Sequence, residues 1–348
     1  MSIKSIEFVE RGSIHDRDPF YSEENARQSK EIMVNSNCLA EEYYASGGSR
    51  LLLPPKFLRG PGYIDKNNWG YLHCDRITNG DFDGWAGDGS TSTKVEAAYS
   101  PLEYYLPKTR KKAGSVAVAL LTGSESSCSL RARKDTFQKQ LLADYQSREK
   151  WASFASGGGL PFMEALQEAG SVREAVAVDY DPASLRLMAE RAKNMGIDDR
   201  FIVQHRDLRR NEGGYEHGYL SDKMITALGL QRLPYLKEIP IPLSYFDKIE
   251  VSGMVEYLNK NAAAQVVHNT VSHLNKKDGS AIIFSNIWDK HPERQWLDNV
   301  PQWTVMKYRS LDEMKDIFER ANQFGANIKY AEVFTAGDGY LVFTCRIK

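Results

Sequence analysis

The chain has 348 residues, 42% hydrophobic and 26% charged, enough for one large domain or two modest ones. Its 45 Lys and Arg stand against 46 Asp and Glu, a net charge of −1, so no overall field recommends nucleic acid or anionic lipid as a partner. The four cysteines, Cys38, Cys74, Cys128 and Cys345, form no CxxC pair and read as the reduced thiols of a cytoplasmic protein, which excludes a disulfide framework and a structural zinc site.

The opening residues Met1-Ser2-Ile3-Lys4-Ser5 lead into acids, and the longest apolar run, Val116–Leu121, is far shorter than the roughly 20 residues of a membrane span, so neither an export signal nor a membrane anchor is expected. Residues 1 to about 110 are rich in Gly, Pro, Asn and aromatics, with turn clusters at Gly47-Gly48-Ser49, Pro54-Pro55, Gly60-Pro61-Gly62 and Asn79-Gly80-Asp81. An irregular region follows from this, with short helices near 22–45 and 94–105. Asn79–Gly84 alternates oxygens in the manner of a calcium loop, but Ser90 stands where a bidentate Glu is needed, and a plain turn is expected. Val116–Leu121 reads as a short buried helix or strand. Leu130, Phe137, Leu141 and Leu142 make Cys128–Tyr145 a connecting helix.

From Trp151 the punctuation becomes regular. Strand-like runs at Trp151–Ala155, Glu174–Val178, Phe201–Val203, Phe246–Val251 and Ala281–Ser285 alternate with helical stretches such as Ala183–Asn194 and Ala262–Leu274. A helix at Leu311–Phe324 precedes Ile328–Phe334 and Tyr340–Ile347, which flank the turn Ala336-Gly337-Asp338-Gly339 as a hairpin at a sheet edge. The expected fold is α/β: a Rossmann-like, doubly wound, mostly parallel sheet with a C-terminal antiparallel hairpin over 150–348, preceded by a mainly helical and irregular cap over 1–149.

The most informative stretch runs from Trp151 through Ser156-Gly157-Gly158-Gly159 to Leu166: a strand, a glycine turn, then a helix with Pro161 in its first turn. Three glycines let backbone approach a ligand where a Cβ would collide. The next strand ends at Asp179-Tyr180-Asp181, placing a carboxylate where it can accept from ribose hydroxyls, with Tyr180 beside it for an adenine face and Asp181 as a helix N-cap. The strand after that ends at His205-Arg206-Asp207-Leu208, offering a second acid for an exocyclic amine. The spacing matches neither GxGxxG nor a P-loop ending in GK[ST].

In this register Ser153-Phe154-Ala155-Ser156-Gly157-Gly158-Gly159 resembles the first motif of the class I S-adenosylmethionine-dependent methyltransferases, an acid, a hydrophobe and GxGxG, with Ser153 in place of the acid and Ala155 in place of the first glycine. That version is similar to a branch containing fatty-acid methyl-ester-forming methyltransferases and azetidine-2-carboxylate synthases. Tyr245–Leu258, Leu274–Gly279, Ser285-Asn286, His291-Pro292 and Trp303 through Tyr308-Arg309 extend the likeness over roughly 150–348. The resemblance implies S-adenosyl-L-methionine as cofactor, held by Ser156, Gly157, Gly158, Gly159, Asp179, Tyr180, Asp207, Leu208 and Ser252. Tyr257, Asn286 and Tyr308 are the catalytic candidates, and Arg309 is either a fork for a substrate carboxylate or one side of an internal salt bridge.

Methyl transfer to a small molecule is the reading this favours. Attack on the aminocarboxypropyl carbon, releasing methylthioadenosine, and a non-catalytic nucleotide-binding role are the alternatives. The seven histidines offer no HxH or HExxH pair, and no metal is expected. Aromatics crowding the first half either shield a reactive sulfonium or pack the irregular region, and oligomeric state is not legible.

Overall fold

The computed structural model describes residues 6–13, 18–48, 65–86, 95, 98–99, 114–179, 181–205, 242–302 and 306–347. In chain order these form β1 (Glu7–Ser13), α1 (Glu23–Ala45), α2 (Trp69–Ile77), α3 (Asp81–Ala86), α4 (Ser115–Gly123), α5 (Glu125–Leu142), β2 (Lys150–Phe154), α6 (Leu160–Ala169), β3 (Glu174–Asp179), α7 (Pro182–Asn194) and β4 (Phe201–His205). There follow β5 (Lys248–Val251), a 3-10 turn at Val255–Tyr257, α8 (Lys260–His273), β6 (Ala281–Ile287), α9 (Arg294–Asn299), α10 (Leu311–Gln323), β7 (Ile328–Ala336) and β8 (Tyr340–Ile347).

Eight strands make one sheet in the order β1-β7-β8-β6-β5-β2-β3-β4. Every neighbouring pair is parallel except those that involve β8, which runs antiparallel to both β6 and β7. The run β4-β3-β2-β5-β6 is the 3-2-1-4-5 order of a doubly wound sheet, and its direction of winding reverses between β2 and β5, where such folds bind ligands.

Alternation along the strands sorts side chains onto two faces. Trp151, Ala175, Ala177, Phe201 and Val203 pack with Phe137 of α5, Phe162 of α6 and Met188 of α7. Ala152, Phe154, Val176, Val178, Ile249 and Val251 pack with Val267 of α8 and Phe318 of α10. Buried on both faces, these strands are near-continuous apolar runs, and a charge within one needs a partner. Lys248, wholly buried, finds its partners at the end of α5, where its Nζ donates to Leu141 O (2.6 Å) and Ala143 O (2.5 Å), carbonyls that the helix leaves unpaired.

The helices before residue 124 join the first face. Ile32, Met33, Tyr71, Cys74, Phe82 and Leu120 share its core with Trp296 and Leu297 of α9. Trp296 Nε1 donates to Ser36 Oγ at 2.9 Å, and Asn68 Nδ2 to Asn299 O at 3.1 Å. A Cβ on Gly70 would stand 2.1 Å from Ser36 O, so only glycine lets α2 lie this close to α1.

Two expectations change. The C-terminal hairpin is not at the sheet edge, because β1 pairs in parallel with β7, Phe8 opposite Ala331. Asp81–Ala86 is a short helix, and its acids serve the protein: Asp83 Oδ1 accepts from Tyr71 OH (2.6 Å) and pairs with Lys66, while Asp81 Oδ2 accepts from Gly114 N. Of the first-half aromatics, Tyr71 packs against Phe82 at 5.2 Å and Phe82 against Trp296 of α9 at 6.2 Å. Most of the helix expected at 94–105 lies outside the described residues.

Candidate functional site

The switch point gathers the C-terminal ends of β2, β3 and β5. β2 leaves through Ala155, Ser156 and the glycines into α6, with positive φ at Ala155 (54°), Gly157 (55°) and Gly159 (65°). Ser156 Oγ donates to Ser153 O (3.0 Å) and to Val178 O (3.2 Å), tying the turn to β3. A Cβ on Gly159 would meet Met188 Sδ at 2.8 Å. Gly159 caps α6 without a side-chain acceptor, so the first turn of that helix presents N–H groups and the positive end of its dipole.

Ala155 occupies the position where the resembled motif carries its first glycine, and its left-handed backbone stores strain there. Ala155→Gly is expected to stabilise the fold by about 1 kcal/mol. Urea denaturation checks this, and a lower midpoint in the variant would refute the strain.

Asp179 ends β3 nearly buried. Its Oδ2 accepts from Gly157 N at 2.8 Å and its Oδ1 from Asp181 N at 2.8 Å, so the carboxylate is oriented by the same glycine turn it faces. Asp181 is the N-cap expected of it, its Oδ2 accepting from Ser184 N (3.2 Å) and Ser184 Oγ (2.7 Å). Gly158 O accepts from Arg191 Nη1 of α7. Tyr180, Asp207 and Leu208 lie outside the described residues.

On β5, Glu250 pairs in register with Ser153, and the Ser153 hydroxyl donates to Glu250 Oε1 at 2.5 Å. Both are wholly buried. Burial pushes the Glu250 carboxyl up to about 7, against the pull of the Ser153 hydroxyl and the Arg133 guanidinium. Glu256, in the 3-10 turn, is also raised by burial and lies 3.7 Å from Arg133 Nη1. Arg133 reaches in from α5, its guanidinium 4.6 Å from the centroid of the Tyr340 ring and its Nη2 donating to Tyr99 OH. Glu250 Oε2, Glu256 Oε2, Arg133 Nε and Tyr308 OH are buried with no hydrogen-bond partner among the described residues. Each such orphan costs about 1–3 kcal/mol.

The catalytic candidates divide. Asn286 is fully buried in a backbone knot: its Nδ2 donates to Ile287 O and Lys307 O, and its Oδ1 accepts from Arg309 Nη1 at 2.7 Å. Arg309 also donates to Val255 O and Leu258 O, so it is neither a carboxylate fork nor half of a salt bridge but the clamp on the turn after β5. Ser252 O accepts from Ser285 Oγ at 3.5 Å, joining that turn to β6. The Tyr308 ring packs against His291 (6.3 Å between centroids) and under the Arg294 guanidinium (4.6 Å), and burial pushes its hydroxyl above the usual range. Sequence reasoning passed over Glu250, Glu256 and Arg133. The available signal was Glu250 itself, an acid on a strand whose neighbours in the sheet are apolar.

A second buried polar group lies at the start of α5. The Glu293 carboxylate accepts from Glu125 N (2.7 Å), Ser126 N (2.9 Å) and Ser126 Oγ (2.5 Å), capping the helix from a distant segment. His291 Nε2 lies 3.4 Å from the same Ser126 Oγ, and its Nδ1 accepts from Glu293 N. With Nδ1 an acceptor, the neutral ring carries its proton on Nε2 and donates toward serine, the reverse of what a nucleophilic triad requires. Among the described residues no cluster of three His, Cys, Asp or Glu is arranged to hold a metal ion, and no helix is long and apolar enough to cross a membrane.

No family model matches the chain, and no curated protein matches it. Among solved structures it is similar to one described as a possible exported protein from Bordetella parapertussis, at 12% identity and a TM-score of 0.61, covering 94% of this chain and 99% of that one. It is also similar to a putative O-methyltransferase from Nostoc punctiforme, at 10% identity and a TM-score of 0.45 over 94% of this chain and 73% of that one. An O-methyltransferase family 2 protein from Planctomyces limnophilus, in complex with apigenin, is similar at 14% identity and a TM-score of 0.42 over 99% and 100%. The first of these likenesses shows that the whole architecture, N-terminal helices included, is a recurring fold.

Proposed function

We propose that the chain is an enzyme that binds S-adenosyl-L-methionine across the ends of β2 and β3 and transfers its methyl group to a small molecule seated beyond β5. The observation that carries this reading is Asp179, held at the end of β3 by the N–H of Gly157 so that one carboxylate and one glycine turn face the same space. The residues suit the group. Gly157 and Gly159 leave the turn without side chains, the uncapped start of α6 favours the carboxylate of an amino acid, and Asp179 accepts from ribose hydroxyls.

Once bound, the group supplies a carbon activated by positive sulfur, whose departure as a thioether needs no acid. The protein's share is positioning and exclusion of water. Asn286 and Arg309 act as positioning residues, fixing the turn after β5 that carries Tyr257, while Tyr308 lines the acceptor side. The segment before residue 150 acts as the cover, reaching the switch point through Arg133 and Tyr99.

Asp179→Ala is expected to weaken S-adenosyl-L-methionine binding at least tenfold, about 1.4 kcal/mol, with the fold retained. Calorimetry on both proteins tests it, and equal affinity removes Asp179 from the site. Incubating the protein with S-adenosyl-L-methionine and candidate acceptors, then identifying the nucleoside product by mass spectrometry against heat-killed protein, tests the reaction. S-adenosylhomocysteine supports methyl transfer, whereas methylthioadenosine replaces it with attack on the aminocarboxypropyl carbon.

A further inference from the structure

Glycines at left-handed φ, 55° at Gly157 and 65° at Gly159, give a turn that changes conformation at little cost unless something outside it intervenes. One peptide unit of this turn is gripped at both ends. The Gly159 N–H donates to Ser156 O at 2.9 Å across the turn, and Gly158 O, the other end of the same unit, accepts from Arg191 Nη1 at 2.6 Å. Because a peptide unit is planar, bonds on its two opposite edges fix its rotation.

Arg191 shares a face of α7 with Met188, three residues before it, whose Sδ stands where a Cβ on Gly159 would collide. The turn is thus seated on α7 at two adjacent points. Its bearing on the ligand edge is uneven. Gly159 O accepts from Met163 N at 3.0 Å, so the Gly158–Gly159 peptide sets the direction in which α6 begins. Asp179 has an anchor of its own, since its Oδ1 accepts from Asp181 N whatever the turn does.

We infer that Arg191 is a positioning residue for the amino-acid end of the nucleoside: it holds the Gly158–Gly159 peptide so that the first N–H groups of α6 meet that end, while Asp179 holds the ribose end independently. The inference rests on the reading of the site as one for S-adenosyl-L-methionine and divides recognition between its two ends. Arg191 bonds backbone and acts on the ligand through the turn. A charge-assisted bond to a carbonyl is stronger than a neutral one, which suits a guanidinium to fixing a segment that has no side chains of its own to pack.

Calorimetry on the full chain with S-adenosylhomocysteine and with methylthioadenosine, which keeps the base and ribose but lacks the amino-acid end, tests the division. Arg191→Met is expected to weaken S-adenosylhomocysteine about tenfold and methylthioadenosine less than about twofold. Arg191→Lys, which keeps a charged donor without the planar fork, is expected to recover part of the loss. Equal losses on both ligands, or no loss on either, would overturn the inference, the first because general damage to the fold weakens both alike. Hydrogen exchange on the ligand-free protein reads the turn directly: the Gly159 N–H is expected to exchange at least tenfold faster in Arg191→Met, with the amides of β2 and β3 unchanged. An unchanged Gly159 rate overturns the inference whatever the ligands do. If Arg191→Met does not fold, Arg191→Lys carries both readouts, with a loss confined to S-adenosylhomocysteine as the expected result. Should the unsubstituted protein bind neither nucleoside, the cofactor reading falls, and the exchange rate alone decides whether Arg191 holds the turn.

Discussion

Arg133→Met is expected to cost about 3 kcal/mol of folding stability, because it removes the one guanidinium that acts on both buried carboxyls and leaves Glu256 with Arg309 alone. The loss should grow with pH. Without Arg133 the folded-state values of Glu250 and Glu256 rise further above the unfolded value of 4.5, so the native state binds more protons than the unfolded chain over a wider range. Stability then falls as pH rises through that range. Urea denaturation at pH 5.5 and pH 8 reads both effects. Adding Glu256→Gln to Arg133→Met should recover part of the loss, since no charge remains for the guanidinium to balance at that position. A double variant as unstable as the sum of the two singles would show that Arg133 contributes through its packing on Tyr340 and Tyr99 instead.

Much of the scaffold was legible because local pattern and tertiary environment agree. The Tyr340–Ile347 strand follows from its apolar run and the preceding Gly337-Asp338-Gly339 turn, and the helix read at Leu311–Phe324 is found at Leu311–Gln323, where a Ser310–Glu313 capping box starts it. The strand Glu7–Ser13 was not legible. Its sequence EFVERGS shows no sustained alternation, and what makes it a strand is a partner more than 300 residues away, Phe8 opposite Ala331. Non-local pairing of this kind leaves no trace in a short window of sequence.

The site divides along the same line. The positions of Asp179 and the glycine turn at strand ends were legible because chain order places both there. The contact between Ser153 and Glu250 was not, because the two become neighbours only through the reversal that sets β5 beside β2. An exchange of charge between adjacent strands cannot be read from one strand at a time. The same limit hid the true role of Arg309, whose three acceptors lie on Val255, Leu258 and Asn286.

Acidification from pH 6.5 to pH 4 is expected to cost the protein up to about 3 kcal/mol through His291 alone. Burial lowers its folded-state value from 6.5 to about 4, because the enclosed ring loses the water that would solvate its charge. Between those values the unfolded chain carries the proton and the native state does not, so stability rises with pH across the window and is lost as pH falls through it. Glu293 and Glu250, both raised by burial, act in the opposite sense, since the native state takes up their protons first. The single substitution therefore has to be read as a difference. His291→Gln keeps a polar side chain beside Ser126 without a titrating ring, and its urea midpoint should decline less steeply between pH 6.5 and pH 4 than that of the unsubstituted protein. Parallel declines would mean that the ring ionises in the folded state as readily as in the unfolded chain. The consequence of the expected result is mechanical as well as thermodynamic: a proton on His291 charges the ring beside Ser126, whose hydroxyl and N–H both bond Glu293, and so loads the contact that ties the start of α5 to the segment before α9.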